Sequence, residues 1–426
     1  MKKTIVAVAV ALTTAFSAQA ATLHAPDQDY IASTAAWGIG QSNWDSGANN
    51  KLTYQNAYKY TSNMEMGKGA WTLELGKASG FDIDTVKVHD VDGTELTLTE
   101  MLRDRLNYES VVVLKNGKLI TESYWNGMHK DKLHLMMSST KSLVSMTLQT
   151  LVMEGKIDMD ALVTKYIPEL KDSGFGDATV QEIADMRSGV KIEFTPGLIW
   201  DEREMHIVEW NGENKYPEHP DMLSMLETLG QRDDVKTGQA FDYQGVNTEV
   251  LGELITRASG KNGVDAIEER IWKRIGVENN GRMITNKKGL AAFDGGMNAT
   301  TRDFAILMDV LMNEGKNRKG EQIVPKSFID NLIAGNEEVK SAWQYDGFSA
   351  LIPTAWYKDQ IRVLNYEGLT YLVFVGINGQ VTIGEPKTGI VIGLNGAQPE
   401  MQAARTVGMT MMEVAPKLLK AIAAAK

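Results

Sequence analysis

Strand-like runs lie near both ends of this chain, and helical patterns fill most of what separates them. Ser110-Val111-Val112-Val113-Leu114 and Leu119-Ile120-Thr121-Glu122-Ser123-Tyr124 flank Lys115-Asn116-Gly117-Lys118. Two β-rich runs around Asn-Gly predict a hairpin, because both central residues of that turn take positive φ, which Asn and Gly adopt at least cost. Near the other end, 360–364, 369–375, 380–384 and 389–394 also read as strands, followed by a helix from Met401 to about Ala425. Helical spacing marks 97–106, 179–186, 247–259, 264–275 and 301–313. Strands at both ends with helices between them imply one sheet assembled from both ends. The expected class is therefore α/β (α+β), an antiparallel sheet flanked by helices with a mainly helical lobe inserted, and a cleft between the two.

The corresponding division assigns 96–165 plus 295–426 to the sheet domain and 166–294 to the inserted lobe. Residues 21–95 form an aromatic-rich extension with no clear periodicity, carrying Trp37, Trp44, Tyr54, Tyr58, Tyr60 and Trp71. An aromatic layer wrapped on the main body is the expected use, and a rim facing substrate is the alternative. Gly189 to Val235 is loop-rich, with Pro196, Gly197, Trp200, Trp210, Pro217 and Pro220, as expected of a segment that walls a cleft.

Residues 1–20 read as a secretory leader: Lys2 and Lys3, an apolar stretch, then Ala18-Gln19-Ala20 as a cleavage site. A periplasmic or secreted protein is expected, cut after Ala20. Losing the two lysines takes the formal net charge from −11 to −13. Such a balance argues against nucleic acid or anionic lipid as a partner, and no later window is apolar enough to span a membrane. The chain has no cysteine, so neither a disulfide framework nor a lipid-modified cysteine is available. Its six histidines, His24, His89, His129, His134, His206 and His219, show no metal-ligand spacing and are expected to be surface or capping residues. No metal and no cofactor is expected.

Chemistry concentrates where the hairpin ends. Ser138 and Lys141 stand three apart at the entrance of an apolar-periodic run, Leu143, Val144, Thr147, Leu148, Leu151 and Val152, that Gly155 closes. On a helix this spacing stacks the serine hydroxyl over the lysine amine, and an adjacent amine is what turns a hydroxyl into a nucleophile. The helix start also favours the negative charge that develops during acyl transfer. A capped surface helix is the competing use of the same pattern. A second copy, Ser188-Gly189-Val190-Lys191, precedes turn or strand material, Ile192 to Pro196, and lacks that geometry.

Several pieces occur in a telling order. After the hairpin and Ser138-Ser139-Thr140-Lys141 come Gly155-Lys156-Ile157-Asp158, Asp185-Met186-Arg187-Ser188-Gly189, Phe241-Asp242-Tyr243-Gln244-Gly245 with the helix after it, Gly295-Gly296-Met297-Asn298, and Gly376-Ile377-Asn378-Gly379-Gln380. From about Leu96 to Ala397 the chain resembles the serine β-lactamase and penicillin-binding-protein superfamily. Within it the resemblance is to the class C-like branch of carboxylesterases and 6-aminohexanoate-dimer hydrolases. The resemblance implies the fold of that superfamily and an exported serine hydrolase acting on a small amide or ester.

It also implies roles. Ser138 is the nucleophile, and Tyr243, at the family's second motif, shares its proton with Lys141. Tyr54-Gln55-Asn56 and Tyr124-Trp125-Asn126 match that motif's letters but not its place in the order. Likewise Lys236-Thr237-Gly238 and Lys387-Thr388-Gly389 spell the third motif out of place, and Phe374-Val375-Gly376 occupies its position. The backbone N–H groups of Ser138 and Ile377 would form the oxyanion hole, with Gly245, Phe374 and Gly376 lining the substrate. One of Lys141 and Tyr243 must be shifted down to act near neutrality. Gly245 replaces an Asn and Phe374 a Lys that would hold a β-lactam, which favours a linear amide or ester. A β-lactamase or D,D-carboxypeptidase, and a non-catalytic ligand-binding or sensor protein on the same fold, are the alternatives.

Overall fold

The computed structural model describes residues 20–192, 200–401 and 403–425. The leader, apart from Ala20, lies outside the described residues, as does 193–199 of the loop-rich segment. Fourteen strands are formed among the described residues. They are β1 (Thr22–His24), β2 (Asn63–Met66), β3 (Lys87–His89), β4 (Glu95–Thr97), β5 (Tyr108–Lys115), β6 (Lys118–Tyr124) and β7 (His134–Leu135). Then follow β8 (Gly281–Ile284), β9 (Met297–Ala299), β10 (Trp356–Lys358), β11 (Ile361–Tyr366), β12 (Leu369–Gly376), β13 (Gln380–Glu385) and β14 (Ile390–Gly396).

The main sheet has seven strands in the order β10-β11-β12-β13-β14-β5-β6, every neighbouring pair antiparallel. It closes the two ends of the chain on each other where Val112 faces Gly393 and Val113 faces Ile392. The hairpin turns through Asn116 at φ 51° and Gly117 at φ 73°, the positive values that select those two residues. Alternation along β5 sends Val112 and Leu114 into one hydrophobic core with Phe304 and Leu307. Val111 and Val113 enter a second core on the other face with Leu418, Leu419 and Ile422. Both faces are thus covered, and each such side chain contributes about 1.5–3 kcal/mol of burial.

Two features were not foreseen. Strand β10 precedes a turn made by Asp359 and Gln360, both at positive φ, so Gln360 belongs to the turn and the strand expected from it starts at Ile361. Neither Asp-Gln nor a three-residue strand carries a hairpin signature. The second feature is a sheet of five short strands, β1-β2-β8-β9-β7. Through β1 and β2 the aromatic extension is hydrogen-bonded to β8 as well as packed on the body. Within it Trp44 is fully buried, stacked on Tyr60 at 5.9 Å and edge-on to Tyr54 at 6.4 Å, and tilted against Trp210 at 5.2 Å. Trp37 is 81% exposed.

The Gln360 turn also aligns the helices that carry the site. Its carbonyl accepts from Ser142 Oγ at 2.8 Å, its Oε1 accepts from Thr248 Oγ1 at 2.8 Å, and its Nε2 donates to the Ala184 carbonyl at 2.8 Å. One buried residue, through its carbonyl and its side-chain amide, therefore joins the helices Thr140–Met153, Gly245–Ser259 and Val180–Ala184 to the sheet. Buried polar atoms so satisfied lock the relative placement of the elements that carry them.

Candidate active site

Ser138 sits in a single 3₁₀ turn, Met137–Ser139, that runs directly into the helix Thr140–Met153. Met137 has φ 45°, a left-handed conformation that a side chain of its size avoids. The surroundings hold it there. Met136 N–H donates to the Met297 carbonyl at 2.7 Å, Thr140 Oγ1 donates to the Met137 carbonyl at 2.6 Å, and Met297 N–H donates to Thr140 Oγ1 at 3.1 Å. From the main sheet, Gly376 presses on the same turn: a Cβ there would lie 2.5 Å from the Met136 carbonyl oxygen and 2.9 Å from Met137 Cβ. The glycine is thus needed for close approach.

Lys141 is 2% exposed and its Nζ donates to Ser138 Oγ at 3.3 Å. The same ammonium donates to the Asp294 carbonyl oxygen at 2.6 Å and contacts Asp294 Oδ2 at 3.3 Å. Behind Asp294 stand two buried acids. Glu249 accepts from the Asp294 N–H at 2.9 Å, Oε1 of Glu204 has no hydrogen-bond partner among the described residues, and one carboxylate oxygen of each of the three lies within 4.8 Å of the others. This set has the composition of a cation site, and the cation it faces is Lys141.

The electrostatics follow. Burial pushes the Lys141 ammonium down, but the charges of Asp294, Tyr243 and Glu204 outweigh it and the net shift is upward. Lys141 is therefore not lowered. Burial first, then mutual repulsion with Asp294, drives Glu204 and Glu249 well above the ordinary glutamate range. A carboxyl raised in this way binds its proton more tightly folded than unfolded, so its contribution to stability declines as pH climbs above the unfolded value of about 4.3. Glu249→Gln keeps the acceptor for Asp294 N–H and cannot ionise. In calorimetry across pH it is expected to melt a few degrees above wild type near pH 8, with the gap closing toward pH 5. Parallel melting curves for the two proteins would contradict the assignment.

A cavity of about 840 Å³ opens over Ser138 and Lys141 and is also lined by Tyr243, Gly245, Asp294 and Ile377. Tyr243 meets Lys141 through its ring, with Nζ 5.4 Å from the ring centroid, and the Arg362 guanidinium lies 4.9 Å from the same centroid. Ser138 and Ile377 both line this wall. Gly245 reaches it too, but a Cβ there would come within 2.6 Å of Glu204 Oε1 and 2.8 Å of Asp294 Oδ2. Carboxylates occupy the room that a side chain at position 245 would need.

Phe374 is a correction. It is fully buried, edge-on to Phe304 at 6.1 Å in the core beneath the sheet, and does not line the cavity. Its neighbour Val375 faces the opposite core, so strand alternation turns Phe374 away from the cleft. Gly376 likewise does not line it and acts by letting β12 approach the Ser138 turn. The second S-x-x-K copy is elsewhere, with Ser188 buried beside Val190. Nor are all histidines at the surface: His134 is fully buried, its Nε2 3.6 Å from the buried Glu109 carboxylate and its ring edge-on to Tyr54.

Residues that pattern reading passed over belong to the cavity wall. Tyr54, set aside because it precedes the nucleophile, lines it and donates its hydroxyl to Asn378 Oδ1 at 2.9 Å. Arg362 and Phe348 line it as well, alongside Trp200 and Trp210 of the loop-rich segment that was expected to wall the cleft. A signal existed for two of the acids: Glu249 lies between Val246 and Val250 on an otherwise apolar helix face, and Asp294 directly precedes Gly295-Gly296.

A family model described as Beta-lactamase matches residues 109–407. The 6-aminohexanoate-dimer hydrolase of Paenarthrobacter ureafaciens is 27% identical over 307 residues, 71% of this chain and 76% of that protein. A solved structure from Bacillus anthracis, provisionally assigned as a 6-aminohexanoate-dimer hydrolase, superposes with a TM-score of 0.78 at 23% identity, covering 94% of this chain and 98% of that one. A family VIII carboxylesterase superposes with a TM-score of 0.54 at 16% identity, covering 76% and 94%. At these identities the superpositions show a common fold.

Proposed function

The chain belongs to the Beta-lactamase family and is a hydrolase of that fold, and we propose that it cleaves the amide or ester bond of a small linear substrate through an acyl-enzyme on Ser138. The observation that carries this reading is the contact of Lys141 Nζ with Ser138 Oγ at 3.3 Å, in a cavity that also holds Tyr243 and Ile377. In the proposed sequence the Lys141–Tyr243 pair enters the step one proton short of full protonation, and Ser138 Oγ attacks the carbonyl carbon as its proton passes to that pair. Excess positive charge at Lys141 is spread onto Asp294. The backbone N–H groups of Ser138 and Ile377 receive the oxyanion, where loss of one such donor typically costs on the order of a hundredfold. The pair then protonates the leaving amine or alkoxide, and water releases the acyl group.

A linear amide is favoured over a β-lactam because Gly245 offers no amide to the cleft. We also propose that residues 1–20 direct export, so that substrate is met in the periplasm or outside the cell. Mass spectrometry after a fluorophosphonate challenge tests the assignment: the adduct is expected on Ser138, and a label on another serine would overturn it. Turnover of linear 6-aminohexanoate dimer with no turnover of nitrocefin is the expected pattern, and the reverse would establish the lactamase alternative.

A further inference from the structure

Seven charged residues line the cavity over Ser138, namely Lys141, Arg362, Asp45, Asp242, Asp294, Asp346 and Glu400. Lys141 is committed to Asp294. Asp45 accepts from Trp210 Nε1 at 2.9 Å and from Asn211 Nδ2 at 3.0 Å. Asp242 accepts from Arg232 Nη1 at 2.7 Å, and Asp346 caps its own turn by accepting from Phe348 N–H at 2.7 Å. Glu400 makes no hydrogen bond or ion pair with a described residue, and of the two cations Arg362 is the one that is likewise uncommitted. Its guanidinium lies over two rings, 4.9 Å from the Tyr243 centroid and 5.7 Å from that of Tyr357, and makes no hydrogen bond or ion pair with a described residue.

Resting on the hydrolase reading above, we propose that Arg362 is the substrate anchor of this cleft and binds a single carboxylate carried by the linear amide or ester. A guanidinium stacked on aromatic rings is held in orientation while its N–H edge stays available, the geometry suited to bidentate pairing with a planar carboxylate. The acids around it make a multiply charged phosphate a poor occupant, whereas one negative charge is matched by one cation. Because Arg362 and Lys141 contact the same Tyr243 ring, a carboxylate at Arg362 lies within a few atoms' length of the reacting carbonyl. Arg362 lies on β11, where it pairs with Val373 of β12.

The test uses 6-acetamidohexanoate and its carboxamide counterpart as protectants of Ser138 against fluorophosphonate labelling of the full-length protein, so it needs no turnover. In wild type the carboxylate is expected to protect at a concentration ten- to a hundredfold lower than the carboxamide, roughly the worth of a charge-assisted pair. Arg362→Gln is expected to bring the two protectants together, and Arg362→Lys, which keeps the charge without the fork, to retain part of the gap. Equal protection by both compounds in wild type, or a gap that survives Arg362→Gln, overturns the proposal. Failure of Ser138 to label at all would instead overturn the hydrolase reading, so the two are told apart.

Discussion

Ser138→Ala is expected to lose at least ~10⁴-fold in kcat on any ester or amide that wild type turns over, because removing a nucleophile leaves only the contributions of binding and the oxyanion donors. The fold should survive. The hydroxyl's recorded contact is the 3.3 Å approach of Lys141, whose ammonium keeps its stronger partner in the Asp294 carbonyl at 2.6 Å. The strained element next to it is Met137, clamped by the Thr140 hydroxyl and by the Met136–Met297 backbone bond, which the substitution does not touch. Steady-state kinetics with a thermal melt on the same sample checks both halves. A variant that folds and keeps more than a hundredth of wild-type kcat would remove Ser138 from the chemistry.

Lys141→Met is expected to cost on the order of 10³-fold in kcat and to destabilise the protein as well, which separates it from the serine variant. The rate loss follows from deleting the group that shares the nucleophile's proton. The stability loss follows from what faces it: Asp294, Glu204 and Glu249 would be left near one another with their neutralising cation gone. Removing one partner of a buried pair costs up to about 3–5 kcal/mol, and Asp294 is a quarter exposed, which places the expected cost at or below the lower end. The sign with pH is defined. Without the ammonium Glu204 and Glu249 hold their protons more tightly still, so the variant should lose more stability near pH 8 than near pH 5. Chemical denaturation at the two pH values checks this. Equal losses at both would mean that the acids do not sense Lys141.

Much of the fold was legible because it rests on local rules. The Asn116-Gly117 hairpin, the later strands and the buried helix behind Ser138 follow from turn chemistry and from periods of two and 3.6 residues. The second sheet was not legible, since strands as short as β7 and β9, of two and three residues, span too few repeats to establish either pattern. Nor was the β10–β11 turn, whose Asp-Gln pair takes positive φ under tertiary control.

For the site the division is sharper. By itself the sequence determined that a serine and a lysine three residues apart share one turn at a helix entrance, since helical geometry brings such neighbours together whatever surrounds them. Only the tertiary structure decided which charge that lysine carries and what stands around it. Glu204, Glu249 and Asp294 come from separate segments, and Tyr54 and Arg362 from opposite ends of the chain. Phe374 was turned from cleft to core by the parity of one strand position. Contacts of that kind depend on how sheet and helices close on one another, and no local periodicity encodes them.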